Sequence, residues 1–485
     1  MTDTTMRADA TPVAAAGKLA ICIVIAAIVF AAHTVAIINH FEFGGFLLDS
    51  GWFAYLFGTV DPLLINPSAI NGNSFYSIHF SPVIYLWSLL TTAPFGLTGI
   101  QSFALFHGFA YGLPAFLLAW QVESRISAPL LRWFFRLLVV GFFLFGDFVL
   151  RETGFPHYEA IVTGFALLTF LSVRANHRLG IVAGFLALAI YREDGGFYAA
   201  YATVCATLLQ VLEGERVAWV RRGALVMLGV ALSVGAVAIQ RLYFPGFDAV
   251  AGNFSGKHFF SHLSAEFLAG RLPRALLTAG LLPMLITLPI LAWQYRGYLV
   301  PFVCMLPLLL LHLLSVRDVL GTFALHYGLP FAVLQLVILA LAIKRAGAGL
   351  APIGELVALA LFFVATSGPV SALLRLENSG YFTLPVLIMT MPTGDTGEKL
   401  REIDAILASG EAKVCASVGV VALRPDGFPR GTHLNRSAVP AGCTLAIVYD
   451  GDLESTSAKK LLADAGFVET RQSGKLIFFR PGEAR

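Results

Sequence analysis

The chain has 485 residues, of which 57% are hydrophobic and 13% charged. A soluble protein of this size carries about 25% charged residues, so the shortfall points to a polytopic membrane protein. Lys and Arg number 33 against 30 Asp and Glu, for a net charge of +3, too balanced to argue for a nucleic-acid partner.

Eleven apolar runs approach bilayer length and are read as membrane helices: 17–39, 101–121, 130–150, 158–174, 178–192, 194–213, 223–242, 276–294, 298–316, 325–344 and 352–373. The first is too long for a signal-peptide core, and no small-residue cleavage site follows it. The run 81–96 is bracketed by Pro82 and Pro94 and carries Tyr85 and Trp87. It is placed as an interfacial or re-entrant helix.

Basic residues set the expected orientation. None occurs between Lys18 and Arg125. Arg125, Arg132, Arg136, Arg174, Arg178, Arg216, Arg221, Arg222, Arg296, Lys344 and Arg345 fall in alternate connections, on the side of Arg7 and Lys18. Short basic loops are cytoplasmic. An odd number of spans then puts the C-terminus outside.

The character changes near residue 385. Residues 1–385 form the expected transmembrane domain, and 386–485 a small extracytoplasmic α/β domain. Its expected elements are helices at Thr396–Ser409 and Ser457–Ala465, and strands at Val414–Val421, Thr444–Tyr449 and Leu476–Phe479. Cys22, Cys205 and Cys304 sit in apolar runs as small core residues. Cys415 and Cys443 begin separate strands. They are read as two buried thiols, with a disulfide as the alternative if the strands are neighbours.

Ionisable groups at membrane depth are costly and therefore functional candidates. Four groups share one side of the expected topology. The first is Glu42, Asp49, Asp61 and His79. The second is Arg151, Glu152, His157 and Glu159. The third is Arg192, Glu193 and Asp194. The fourth is Arg317, Asp318, His326 and Tyr327. Asp49 stands out within the aromatic run FLLDSGWFAYLF. Glu42 and Asp61 read as ordinary loop charges, and Arg192 to Asp194 could be a helix-end ion pair. His157 and Glu159, two apart, share no helix face but can meet in a loop. His79 precedes Ser-Pro and could cap a helix. Arg151 and Arg192 could hold phosphate through a two-point fork. Walker, HExxH, GxSxG and CxxC patterns are missing, which leaves nucleotide hydrolysis and metalloprotease chemistry unsupported.

These residues carry a resemblance. LDSGWFAYLF resembles the DEaYYa-type motif in the first outer loop of GT-C glycosyltransferases, and HFSPVIYLWSLL resembles their HPPL segment. The order LDSGWF, HFSP, FPHYE, REDGG, HYGLP and the tail VCASVGVVALRPDGFPRGTHL is similar to the bacterial membrane family called domain of unknown function 2079. Ala54 stands where that family carries a second Asp, and Arg192 where it carries a Lys.

The resemblance implies a membrane all-α, polytopic GT-C-like fold in a bacterial inner membrane, with the small α/β domain appended. It implies transfer of a sugar from a polyprenyl-phosphate donor to an extracytoplasmic glycan, lipid or protein. Asp49 would be the general base, with His157 and Glu159 also catalytic. His79, Arg151, Glu152, Arg192, Glu193, Asp194, His326 and Tyr327 would bind substrate. No cofactor is called for. Asp49 has no DxD partner, so a divalent metal is compatible with the motif but not indicated by it. The competing readings are a transporter or flippase for a lipid-linked intermediate, and a non-catalytic membrane scaffold.

Overall fold

A computed structural model describes residues 12–43, 48–246, 261–278, 281–374, 395–410, 413–429, 431–434, 438–451 and 454–482. The joint between the two expected domains, at 385–386, lies outside them. The chain is mostly helical. Six helices are long and apolar enough to cross a membrane: Ala15–Glu42, Gly99–Arg125, Gly195–Leu212, Trp219–Tyr243, Arg296–Leu313 and Asp318–Gly347. A bent pair, Ala265–Leu277 and Leu281–Gln294, meets at 74° and makes a seventh if it is one span. The eleven expected runs are all helical in large part. Several are too short or too broken to meet the length of a span, so eleven crossings do not follow.

The described chain opens with four helices. They are α1 (Pro12–Phe43), α2 (Leu48–Gly58), α3 (Pro82–Phe95) and α4 (Gly99–Arg125). α1 packs along α4. Gly108 and Gly112, one helical turn apart, face Phe30; a Cβ at Gly108 would strike the Thr34 hydroxyl and the Phe30 carbonyl. Without a hydrophobic drive between helices in lipid, such small residues let two backbones approach and gain dispersion contacts. α3 starts at Pro82, where the missing N–H costs nothing.

The run expected at 130–150 is interrupted. α5 (Pro129–Phe145) ends at Gly146, whose extended backbone (φ −64°, ψ 128°) turns the chain into α6 (Asp147–Gly154). A short 3-10 turn, Tyr158–Ile161, leads into α7 (Val162–Arg174). Then come α8 (Arg178–Tyr191), α9 (Gly195–Leu212) and α10 (Trp219–Tyr243). The helix Leu329–Gly347 is the axis of the bundle, buried at nearly every position.

One end of the bundle is basic and tied by ion pairs. Arg136 grips Glu123 at 2.7 Å, Arg174 and Lys344 meet on Glu213, and Arg345 holds Glu355 at 2.8 Å. These are the loops expected to be cytoplasmic. α7, α9 and Leu329–Gly347 all end there, so their N-terminal ends lie together at the other end.

The C-terminal residues form a four-stranded sheet, ordered β1-β2-β4-β3: β1 (Val414–Ala416), β2 (Leu445–Tyr449), β3 (Phe467–Ser473) and β4 (Leu476–Pro481). β1 and β2 run parallel, while β4 is antiparallel to both β2 and β3. The expected strand 414–421 stops at Ala416, and Val418–Leu423 is a helix instead. β3 was missed because its FVETRQS sequence is mostly exposed at the sheet edge. The helices at Asp395–Ser409 and Ser455–Asp464 match expectation closely. Cys415 and Cys443 are joined in a disulfide, Cα atoms 5.9 Å apart, against the preferred reading of two thiols. The parallel pairing of β1 with β2 brings the two ends together. Cys22 and Cys205 are buried, as expected, and Cys304 is half-buried.

This sheet region sits on the bundle. A Cβ at Gly51 of α2 would overlap the Ala422 carbonyl, so the helix Val418–Leu423 lies directly against α2. The Ala69 amide donates to the Pro425 carbonyl at 3.1 Å, and the Lys399 ammonium to the Glu42 carbonyl at 3.0 Å. Ile403, Val420 and Tyr449 belong to the same apolar core as the bundle.

Candidate functional site

α2 carries Asp49 and Phe53 one helical turn apart, hence on one face. Phe53 is buried with its ring edge-on to His157, centroids 4.7 Å apart. That packing brings the Asp49 carboxylate to 3.9 Å from His157 Nε2. The other ring nitrogen, Nδ1, lies 3.0 Å from Glu159. The loop formed by Pro156 and the 3-10 turn lets residues two apart converge, as no helix would.

Glu159 continues the network. It accepts a 2.9 Å bond from Arg192 Nη1. Arg192 also grips Asp194 with two nitrogens, Nε at 2.8 Å and Nη2. Its fork is therefore already filled by carboxylates of the chain itself. Glu193, the next residue, turns to the segment just before α3. It meets His79 Nδ1 at 2.8 Å and accepts the Phe80 amide at 2.9 Å. Burial opposes its charge, but His79 and Arg192 outweigh burial and hold its carboxyl below the usual range.

His326 comes from the far end of the sequence. Its ring stacks on His157, centroids 3.6 Å apart at 18°. Phe323 and Leu325, just before it, have φ of 53° and 57°. This left-handed backbone costs roughly 1–2 kcal/mol per non-glycine residue, and such strain concentrates at functional sites. Tyr327 packs at the edge, 4.0 Å from the His326 ring.

Beneath His157 lies a buried polar layer. Glu152 accepts the His157 amide at 3.0 Å and the Tyr111 hydroxyl at 2.6 Å. His107 Nδ1 stands 3.6 Å from the same carboxylate. Glu152 is fully buried, so it supports the loop from below.

The structure thus brings together Asp49, His79, His157, Glu159, Arg192, Glu193, Asp194 and His326, with Glu152 and Tyr327 adjoining. Arg151 is elsewhere engaged. It is buried and pairs with Asp147 at 2.6 Å, one turn back on α6, an internal ion pair in place of the expected phosphate contact. The fourth group divides. Asp318 pairs with Arg271 and Arg274, and the Arg317 carbonyl accepts from Arg271, so these two belong to the Ala265–Thr278 helix. Asp61 accepts the amides of Leu63 and Ile65, a turn-forming role. Glu42 is buried at the end of α1, its carbonyl facing Lys399 and Tyr449.

Sequence reasoning missed Asp147, Tyr111 and His107. Asp147 lies four residues from Arg151, a spacing that signals a helical ion pair once α6 is recognised. His107 and Tyr111 sit four apart on one face of α4, and both face Glu152.

Compared with known proteins, the chain matches no family model and no curated relative. The family resemblance therefore rests on the order of its motifs.

Proposed function

We propose that the chain is a membrane glycosyltransferase of GT-C type. It moves a sugar from a polyprenyl-phosphate donor to an acceptor outside the cytoplasm, with Asp49 as general base. The observation that carries this reading is the gradient of exposure across the cluster. The Asp49 side chain is 53% exposed, whereas that of Glu159 is 5% exposed. The carboxylate that an acceptor can reach thus tops a set of groups committed to one another. A base must come within hydrogen-bond reach of the acceptor hydroxyl. Asp49 takes that proton as the hydroxyl oxygen attacks the anomeric carbon. The bond to phosphate breaks and the polyprenyl phosphate leaves. One displacement inverts the anomeric centre.

The orientation follows from charge. The Arg-rich end of the bundle is cytoplasmic, and the site end, with the C-terminal sheet, faces outward in a bacterial inner membrane. A transporter would hold its ligand near the membrane midplane between repeats. Polar groups gathered at helix ends under a soluble region fit that reading poorly.

The experiment is an in vitro assay on purified protein with radiolabelled polyprenyl-phosphate sugars and membrane extracts as acceptors. Transfer of label by the wild type and its loss in Asp49→Asn is the expected result. Label that stays on every donor offered, with the protein folded, would overturn the reading.

A further inference from the structure

The proposed reaction leaves a charge problem. The leaving phosphate needs a cationic partner, yet the guanidinium at the site, Arg192, already has Nε and Nη2 on Asp194 and Nη1 on Glu159. Arg151 is paired inside the bundle. The cluster holds four carboxylates, Asp49, Glu159, Glu193 and Asp194, two of which, Glu159 and Asp194, contact that guanidinium. It is poor in positive charge where the chemistry requires it.

The same cluster has the donors for a metal. His157, Glu159 and His326 each present one ligand atom, and the three atoms lie within 4.8 Å of one another, all on buried residues. Two imidazoles and one carboxylate are the ligand set of open catalytic zinc sites, in which a fourth position is left for water or substrate. A second observation points the same way. His326 is 8% exposed, and its Nδ1 is buried with no hydrogen-bond partner. A buried unsatisfied polar atom costs about 1–3 kcal/mol. Stacking of His326 on the His157 ring offers that nitrogen no acceptor or donor. The neighbouring Phe323 and Leu325 both carry left-handed backbone.

We propose that His157, Glu159 and His326 bind one divalent cation of the zinc class, held on the Nδ1 side of His157 where Glu159 lies. Imidazole nitrogen favours zinc and its transition-metal neighbours over magnesium or calcium, which prefer all-oxygen shells. Arg192, bonded to the other oxygen of Glu159, orients the carboxylate, as partners of metal ligands do. Resting on the proposed function, the open position would take a phosphate oxygen of the donor and supply the missing positive charge.

The test reads metal without any sugar. Full-length protein, purified through a histidine-free tag and stripped with chelator, is titrated with Co2+ and then Zn2+. The expected wild-type result is a single equivalent of Co2+ with the strong visible absorption of a low-coordinate site, displaced by Zn2+. His326→Ala and Glu159→Gln should weaken binding by about tenfold or more. His177→Ala, at the basic end of the bundle, should keep it. Because either ligand variant could misfold, the wild type also stands alone. A chelator-stripped wild type that shows no saturable Co2+ spectrum overturns the proposal. So does an unchanged spectrum in both ligand variants. Either result would leave the transfer assay, which tests the glycosyltransferase reading, untouched.

Discussion

The imidazole of His157 lies flat on that of His326, ring centroids 3.6 Å apart. One ring comes from the loop before α7 and the other from the turn that opens the central helix, so their contact fixes how two distant parts of the bundle meet.

Asp49→Asn should lower the turnover of sugar transfer about a hundred- to ten-thousandfold, the usual contribution of a general base. The change is nearly isosteric and the side chain half exposed, so the thermal midpoint should stay within a degree or so of wild type. Steady-state kinetics beside a melting curve check both parts. Wild-type turnover would reduce Asp49 to a structural role.

Arg192→Ala should act mainly on stability. Removing the guanidinium leaves Glu159 buried and Asp194 half-buried, both without their cation. Breaking such a pair costs roughly 3–5 kcal/mol. Arg192→Lys should recover only part, since an ammonium cannot reproduce the fork on Asp194. Chemical denaturation of the detergent-solubilised protein measures the order wild type, Lys, Ala. A fully stable Ala variant with weakened donor binding would restore Arg192 as the phosphate clamp.

Glu193 gives a pH dependence. Its folded carboxyl titrates below its unfolded value, so it contributes stability that is full above the unfolded value, about 4.3. That contribution is lost as pH falls through the lower folded value. Glu193→Gln should therefore be less stable than wild type at neutral pH, with the gap closing on acidification below pH about 4. Melting curves across pH 3–8 read it. A gap that widened in acid would show the sign to be wrong.

Cys415 and Cys443 close a loop of 28 residues. The bridge should resist alkylation in denatured, unreduced protein, where Cys22, Cys205 and Cys304 alone should label, and labelling should rise from three thiols to five only after reductant. Cys415→Ser should cost up to roughly 3 kcal/mol. Both thiols labelling without reductant would contradict the bridge.

Much of the site was legible because ionisable residues are scarce in an apolar chain. Asp49, His157, Glu159, Arg192 and His326 stand out wherever charge is expensive. What could not be read was which charges meet. Arg151 and Arg192 look alike in sequence, yet one is consumed by Asp147 and the other by Asp194, because Gly146 breaks the helix in one place and the chain turns at Arg192 in the other. The fold was legible where periodicity is strong and the element is half-buried, as in Asp395–Ser409. It was not legible at β3, whose polar run is a strand only because β4 pairs with it, nor at Val418–Leu423. That apolar segment is helical because it must lie flat on α2.

Gly51 gives that last contact a wider meaning. With hydrogen in place of a side chain, the backbone bearing Asp49 has no clearance from the segment above it, and the buried residues on either side of the seam form one continuous core. The membrane bundle and the sheet should thus melt in a single cooperative transition. Gly51→Leu would wedge them apart, at roughly 1–3 kcal/mol for overpacking, and split that transition into two. The sheet region is a structural wall behind α2, and a chain shortened to its helices would lose the surface against which the backbone carrying Asp49 packs.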